Sequence, residues 1–342
     1  MPVRGTEKPA VAPESAAVIL WGRSDEIGEI LGEELQALGF SVCLLPAGQS
    51  LPPDLDVVIT FGPYGEFLPV ARQVGQRKSG GRPLFIHWNT ELIPNPRLPW
   101  VLVRPLSILR AWMGARSRKL ATRALRLRYL GDSHYAFRRD WLDLLVESSQ
   151  VYTAYHRRHG LPAVFIPWGT SPRWFADLDL ERDIDVLWMG KRRSKRRSDL
   201  LDDIQSGLEC HGRTMWVADD QEKPLIYGAA RTRLLNRSKV TLNLLSNWHD
   251  NALVYRFPMG AGNRSLVVSE PTLAHDENLV PGEHYVLSPP EHILETLLDY
   301  LQDAPARQPL VQAAYHLVTH QLAFRQSVRQ LLQIVRERCA VE

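Results

Sequence analysis

The first half of the chain alternates short apolar runs with segments whose apolar residues recur at helical spacing. The run AAVILWG begins at Ala16 and ends in glycine, as expected of a buried parallel strand. The segment after it carries one apolar helical stripe, made of Ile27, Ile30, Leu31, Leu35 and Leu38. Three further strands are predicted at FSVCLLP, DVVITFG and PLFIHWN, with a helical stretch at 67–74 between the last two. Strand–helix alternation with short connections predicts a parallel, doubly wound α/β sheet.

A second alternation begins at DIDVLWMG, residues 183–190. The runs TMWVA, KVTLNLL, SLVVSE and HYVLS are predicted as its further strands. Helices are predicted near 197–207, near 226–237, after Asn251, at 291–302 and at 309–337. Two α/β halves of similar size indicate two Rossmann-like domains facing a cleft.

The predicted domain boundaries follow from these patterns. The Pro-, Glu- and Ala-rich start predicts a disordered tail. The segment TSPRWFADLDLERD interrupts regular structure and is predicted to be a hinge. The predicted parts are a tail at 1–15, a first domain at 16–168 with a basic helical insertion at 98–147, a hinge at 169–183, a second domain at 184–308, and a C-terminal helix at 309–342 that crosses back to the first domain.

Composition narrows the class of protein. Hydrophobic residues make up 44% of the 342 residues and charged residues 23%, an ordinary globular balance. The net charge of +3 is too small to indicate a nucleic-acid binder. The three cysteines, Cys43, Cys210 and Cys339, are far apart, which favours a reducing, cytoplasmic setting. No apolar stretch approaches the roughly 20 residues of a membrane span.

Three polar loops follow predicted strands of the second half, where ligands bind in open parallel sheets. The first loop, GKRRSKRR, contains Gly190, Lys191 and Arg192. Guanidinium groups there suit phosphate oxygens, although a solvated basic turn is the competing interpretation.

The second loop, SNWHDN, contains Trp248, His249, Asp250 and Asn251. Asp250 or Asn251 can cap the helix that follows, and the free N–H groups of that helix can bind an anion. Arg256 lies within two turns of the start of this helix. The alternative is that Trp248 packs internally and that Arg256 is a surface residue.

The third loop follows SLVVSE, which ends in Glu270. A carboxylate at a strand end can accept hydrogen bonds from ribose or sugar hydroxyls.

The order of these segments resembles that of the CgeB-like glycosyltransferases, the spore-maturation-type branch of the group-1 enzymes with a GT-B fold. The resemblance runs over about residues 149–300, through SSQVYTAYHRRHGLPAVFIPWGTSPRWF, the basic loop, LNRSKVTLNLL, the Arg-bearing helix, LVVSE and LVPGEHYV. It implies a nucleotide-sugar donor, UDP-, GDP- or TDP-linked, on the second domain and an acceptor on the first. It also implies that Arg192 or a basic neighbour contacts the diphosphate, that Asn251 and Arg256 lie beside it, and that Glu270 lies near the pocket.

One departure from the family concerns the ribose. The family places a Phe-Glu pair after its arginine, whereas this chain reads RFPMGAG, with Pro258 and Met259. Three alternatives follow: Glu270 takes the ribose role, donor handling has changed, or transfer activity is lost. The last alternative leaves a catalytically silent binding or scaffold protein with the same fold.

Fixed cations and helix N-termini can stabilise a leaving diphosphate, so no metal or other cofactor is expected. The letters DLDLERDID lie in the predicted hinge and are not a metal clamp. An inverting enzyme needs a base for the acceptor hydroxyl, whereas a retaining enzyme does not. The candidate bases after strands of the first half are His87, Glu91 and Asp25, with Asp132 and His134 as weaker candidates. His87 can equally be a core histidine, and Asp25 can be a helix cap.

The segment 100–128 mixes aromatic and aliphatic residues with eight basic ones. Three interpretations remain open. The segment can be an internally packed helical insertion, or it can contact the inner face of the membrane as a lipid-linked acceptor requires. It can also contact an anionic partner, either an acidic or phosphorylated acceptor or a nucleic-acid backbone.

Overall fold

A computed structural model of the chain describes residues 13–20, 26–62, 67–77, 82–116, 124–192, 194–250, 253–272 and 278–341. The chain divides into two compact units. Unit 1 comprises Met1–Ser148, Tyr152–Ile166 and Ser327–Glu342, and unit 2 comprises Ser149–Val151 and Pro167–Gln326.

Unit 1 contains a six-stranded sheet in the order β2-β1-β3-β4-β5-β6, and its paired strands are parallel. The strands are β1 (Ser15–Leu20), β2 (Ser41–Pro46), β3 (Val57–Phe61), β4 (Leu84–Asn89), β5 (Leu144–Glu147) and β6 (Ala163–Phe165). All the residues of β3 and β5 are buried, as expected of central strands covered on both faces.

The helices of this part of the chain are α1 (Ile27–Ala37), α2 (Phe67–Gly75), α3 (Trp100–Arg116), α4 (Leu125–Arg138) and α5 (Gln150–Arg158). The predicted helical insertion 98–147 ends too late, because residues 144–147 form β5, between β4 and β6. A four-residue apolar run is too short for periodicity to separate strand from helix.

Unit 2 contains a five-stranded parallel sheet in the order β11-β10-β9-β7-β8. Its strands are β7 (Ile184–Met189), β8 (Met215–Ala218), β9 (Ser238–Asn243), β10 (Leu266–Ser269) and β11 (Val286–Leu287). The helices of unit 2 are α6 (Lys195–Cys210), α7 (Gly228–Asn236), α8 (Leu253–Gly262), α9 (Ile293–Gln302) and α10 (Ala304–His316). The fold class predicted from the sequence, α/β with two Rossmann-like sheets, is confirmed.

The C-terminal segment, predicted as one helix over 309–342, consists instead of α10, a π-helical turn at Leu317–Gln321 and a last helix α11 (Phe324–Val341). The interruption has a visible cause in the backbone hydrogen bonds. The N–H of Thr170 donates to the carbonyl of Leu322, and the N–H of Phe324 donates to the carbonyl of Thr170. These bonds replace helical ones at the break.

Among the described residues, no helix is long and apolar enough to cross a membrane.

Candidate functional site

The order of the second sheet defines a switch point between β7 and β9. The chain passes from β7 to β8 on one side and then returns to β9 on the other. Loops at the carboxyl ends of β7 and β9 therefore diverge, and in open α/β sheets this is the place where a ligand crevice forms. The loop after β7 contains Gly190, and helix α8 follows the loop after β9.

Arg256, on α8, has its guanidinium at this switch point. Its Nε donates to the carbonyl of Met189 at 3.2 Å, and its Nη1 donates to Oδ1 of Asn243 at 2.8 Å. These two acceptors end β7 and β9, so the guanidinium is fixed across both strands. A Cβ added to Gly190 would lie 2.7 Å from Arg256 Nη2, so Gly190 leaves room for the third guanidinium nitrogen.

Asn243 is the residue that sequence reasoning missed. It is fully buried, and its amide nitrogen donates to Ser269 Oγ at 2.9 Å while its oxygen holds Arg256. Its signal in the sequence is an amide inside the apolar run KVTLNLL. This pattern indicates a buried amide that needs a hydrogen-bond partner, but it does not indicate that the partner is Arg256.

The basic loop GKRRSKRR is mostly engaged inside unit 2. Arg192 forms ion pairs with three carboxylates: Nε lies 2.5 Å from Asp219, Nη2 lies 2.5 Å from Glu222, and Nη1 contacts Asp202. Its side chain is only 9% exposed. Arg192 therefore cross-links the ends of β7 and β8, and this pairing opposes the diphosphate contact that the resemblance implied.

Arg197 also turns inward. It is buried, donates to the carbonyls of Lys191 and Leu244, and lies over the ring of Trp188. Its backbone N–H donates to Ser194 Oγ at 3.3 Å, which caps the start of α6. Lys191 is the exposed basic residue beside Gly190.

Glu270 is buried at the end of β10 and is held from two directions. The N–H of Leu245 donates to Oε2 at 2.6 Å, and Arg196 forms an ion pair through Oε1. The hydrogen bonds with Glu270 raise the pKa of Arg196. A ribose hydroxyl at Glu270 would have to share this carboxylate with Arg196.

The loop before α8 combines one exposed ring with a buried carboxylate. Trp248 is 53% exposed, whereas Asp250 is fully buried and accepts from the N–H of Asn247 at 3.0 Å. His249 Nε2 lies 3.8 Å from Asp250 Oδ1. Asn251, the other predicted cap, lies outside the described residues.

Unit 1 contains a polar pocket beneath the carboxyl end of β4. It is lined by His87, Asn89, Asp132 and His156 together with apolar residues. His87 sits within β4, where Thr60 Oγ1 is 2.8 Å from its Nδ1, and burial lowers its pKa to about 3, with the neighbouring His156 adding to the effect. The imidazole is therefore neutral at physiological pH but a weak base.

Asp132, on α4, lines the same pocket. Burial raises its pKa to about 7, against the opposing charge of Arg128, whose Nε lies 3.4 Å from Asp132 Oδ2. Its other oxygen, Oδ1, is buried and has no hydrogen-bond partner in the described part of the chain. A carboxyl group with this pKa matches general-base work at neutral pH better than His87 does.

The other residues predicted as general bases are Glu91, His134 and Asp25. Glu91 follows β4, and its backbone N–H donates to Asn89 Oδ1 at 3.2 Å. Asn89 in turn donates to Glu147, which lies 2.9 Å from His156. His134 is buried, with its pKa lowered to about 3 chiefly by burial. Asp25 lies outside the described residues, and within these no group of histidine, cysteine and carboxylate side chains has metal-binding geometry.

Comparison with known proteins agrees with the fold. Residues 192–333 match the model of a family described as glycosyl transferase-like. No curated protein matches the chain. The family pattern thus covers most of unit 2 and the start of α11, and the CgeB-like subtype stays a prediction.

Solved structures resemble the whole chain. Sucrose-phosphate synthase from Thermosynechococcus elongatus has a TM-score of 0.63 at 14% identity, over 96% of this chain and 100% of that one. HepE from Anabaena, solved in complex with UDP, has a TM-score of 0.59 at 8% identity, over 95% and 100%. AviGT4, a glycosyltransferase involved in avilamycin A biosynthesis, has a TM-score of 0.55 at 15% identity, over 96% and 99%. These likenesses establish the GT-B fold.

Proposed function

We propose that the protein is a glycosyltransferase that takes a sugar from a nucleotide-diphosphate sugar, with the donor's diphosphate bound at the switch point of unit 2. The observation that carries this proposal is the guanidinium of Arg256, held across the ends of β7 and β9 beside Gly190. Helix α8, which begins after the loop at the end of β9, adds the positive end of its dipole.

The family match and the structural likeness support the same class. HepE was solved with UDP, and AviGT4 is described as a glycosyltransferase. Arg192 and Arg196 are paired with carboxylates and Arg197 is buried, whereas the acceptors that hold Arg256 at the strand ends are neutral groups. We therefore assign the diphosphate to Arg256, with Lys191 as its exposed neighbour. Trp248 offers a half-exposed aromatic face in the same loop region.

The reaction moves the anomeric carbon of the sugar from a phosphate oxygen to an acceptor oxygen. The bond between the anomeric carbon and the phosphate oxygen breaks, its electron pair leaves with the nucleoside diphosphate, and the acceptor oxygen forms the new bond. Charge that develops on the leaving phosphate is stabilised by the fixed guanidinium without reorganisation, so we propose a metal-independent enzyme.

The acceptor proton can follow two routes. In an inverting reaction a base removes it, and in unit 1 we assign that role to Asp132, ahead of the predicted His87 and Glu91, because its pKa of about 7 suits the task. In a retaining reaction the leaving phosphate takes the proton. The acceptor class that we propose is anionic or lipid-linked, and the proposed setting is the cytoplasm.

Titration calorimetry with UDP, GDP and TDP tests the donor assignment. Replacing Arg256 with Ala removes a charge-assisted contact of about 1.5–3 kcal/mol, so the affinity for the preferred nucleotide falls about ten- to a hundredfold. Arg233→Ala, an exposed arginine on α7, is the matched control and leaves affinity unchanged. Unchanged affinity in a folded Arg256→Ala variant would refute the diphosphate assignment.

A silent binding protein is the second candidate, and one observation favours it. No carboxylate follows Phe257, where the resembled family has the Glu of its Phe-Glu pair, and Glu270 is already bound by Leu245 and Arg196. A protein of this kind binds the nucleotide sugar but never cleaves it. Slow hydrolysis of the bound donor, abolished by Arg256→Ala, identifies the enzyme, and binding without hydrolysis or transfer identifies the silent protein.

A further inference from the structure

Helix α3 of unit 1 exposes a row of large apolar side chains. Val101 is 77% exposed, Leu102 is 60% and Trp112 is 54% exposed. Leu106, Ile108 and Leu109 are also exposed. A soluble protein seldom leaves so many large apolar side chains together in water without a partner for them.

The buried side of α3 is less apolar than its exposed side. It consists of Val103, Ser107 and Ala111, spaced four residues apart and packed toward α4. A Cβ added to Gly131 of α4 would lie 2.2 Å from the carbonyl oxygen of Ser107, so the two helices touch backbone to backbone. Small residues thus serve the internal contact, and the leucines and Trp112 are left for something outside unit 1.

Basic residues border the exposed apolar side chains. At 100° per residue, the apolar positions of α3 span an arc of about 160°, and Arg104 and Arg110 lie just beyond its two edges. No acidic residue occurs between Glu91 and Asp132. Long basic side chains at the margins of an apolar face can keep their charges in the headgroup region while their stems cover apolar surface.

A second basic feature lies at the start of the same helix. A cleft is lined by Arg104, Arg138, His134 and His159, and the described residues contribute no carboxylate to its lining. The ring of Trp100 stacks on that of His159, with 3.9 Å between ring centroids, and forms one wall of the cleft. In the described part of the chain, neither Arg104 nor Arg138 forms an ion pair. Two guanidinium groups at one opening suit a phosphate group.

We propose that α3 binds unit 1 to the surface of an anionic lipid bilayer, with its apolar arc at the boundary of headgroups and acyl chains and the Arg104–Arg138 cleft on a lipid phosphate. The combination selects this partner. A nucleic acid would use the charges and leave the leucines in water, and an apolar protein groove would use the leucines and leave the arginines unpaired. An anionic bilayer can bury the leucines and also pair with the arginines, as it does with interfacial amphipathic helices. This binding is independent of the donor site in unit 2.

Co-sedimentation of the full chain with vesicles tests the proposal. We expect binding to mixed phosphatidylcholine and phosphatidylglycerol vesicles, much weaker binding to phosphatidylcholine alone, and a decrease with added salt. The combined Arg104→Gln and Arg138→Gln variant should bind about 25-fold more weakly, because each charge near an anionic surface contributes about fivefold. The matched control is the combined Arg233→Gln and Arg336→Gln variant, which removes two exposed charges elsewhere.

The apolar arc has its own variant and control. Replacing Leu102, Leu106 and Leu109 with Gln should weaken vesicle binding at least about tenfold, because each leucine loses its apolar burial. The control replaces three exposed residues of unit 2, Leu178, Tyr227 and Val280, with Gln. Circular dichroism and nucleotide affinity should be unchanged in all these variants, which separates this proposal from the donor assignment.

Several results would overturn the proposal. One is wild-type protein that stays in the supernatant with anionic vesicles. Another is a dimer in sedimentation velocity that the leucine variant converts to monomer, since the face would then cover a second copy. A third concerns the source of the phosphate: if inorganic phosphate binds the cleft and the protein ignores vesicles, the cleft serves a free ion. Competition by inorganic phosphate at constant ionic strength that affects wild type but not the Arg104/Arg138 variant supports the lipid phosphate.

Discussion

Gly190 offers a way to disturb the proposed donor site without removing a charge. Its φ of +145° is one that side chains other than glycine rarely adopt. A Cβ there would lie 2.7 Å from Arg256 Nη2, closer than real contacts allow. Gly190→Ala should therefore move the guanidinium away from the acceptors Met189 and Asn243.

The size of each effect follows from these two contacts. Backbone strain at this φ is worth about 1–3 kcal/mol of unfolding free energy. Because the guanidinium is the end of a flexible side chain, relieving the clash costs little stability but displaces the charge. The charge-assisted contact with a diphosphate is worth about 1.5–3 kcal/mol, so we expect nucleotide affinity to fall by up to about a hundredfold.

Titration calorimetry and urea denaturation, applied to a double-mutant cycle with Arg256→Ala, decide the matter. If Gly190 acts through Arg256, adding Gly190→Ala to Arg256→Ala causes no further loss of affinity. Gly212→Ala is the matched control, because Gly212 has a φ of +66° and nothing within 4 Å of its added Cβ. Additive losses in the cycle, or full affinity in Gly190→Ala, would refute the geometry proposed for the donor site.

Two further predictions concern the ion-paired Arg192 and the buried carboxyl group of Asp132. Arg192→Gln leaves three carboxylates without their shared cation, so urea denaturation should show an unfolding free energy lower by about 3 kcal/mol. Nucleotide affinity should change little. A large loss of affinity at unchanged stability would show instead that Arg192 contacts the donor. Asp132 has its pKa raised from 3.8 to about 7, so between those values the folded protein holds a proton that the unfolded chain has released, and stability falls as the pH rises. As the pH rises through this window, the stability of Asp132→Asn relative to wild type should therefore increase by about 1.4 kcal/mol per pH unit. The variant should also lose the limb near pH 7 of the pH–activity profile. If unfolding free energy depends on pH in the same way in both proteins, the raised pKa of Asp132 is refuted.

Local patterns in the sequence predicted most of the fold. The runs that begin at Ala16 and at Asp183 are long enough for burial and strand preference to agree. They contain most of β1 and all of β7, which are strands of parallel sheets. The strand at Leu144–Glu147 was missed because four residues carry too little periodicity and the preceding segment is helical. The break between α10 and α11 was missed because its cause is a pair of hydrogen bonds with Thr170, about 150 residues earlier in the sequence.

The candidate site was predictable only in part. A polar loop after a parallel strand indicates a ligand edge, and Arg256 does lie at the carboxyl edge of the second sheet. The sequence alone could not tell which of Arg256 and Arg192 contacts the donor, since both are arginines near strand ends. The carboxylate of Asp219, 27 residues from Arg192, makes the difference, and only the sheet order of β7 and β8 brings the two together.

The same argument applies to the basic residues of unit 1. In unit 2, the carboxylates of Asp219 and Glu270 engage the arginines of the basic loop, so a dense run of charge indicates internal cross-links. In unit 1, the segment from 92 to 131 supplies no carboxylate, and Arg104 and Arg138 form no ion pair within the described ranges. A charge that folding does not neutralise remains available to an external anion, and the exposed leucines beside Arg104 give that anion an apolar neighbour. The availability of a partner carboxylate, rather than the number of arginines, therefore separates a structural basic cluster from a binding one.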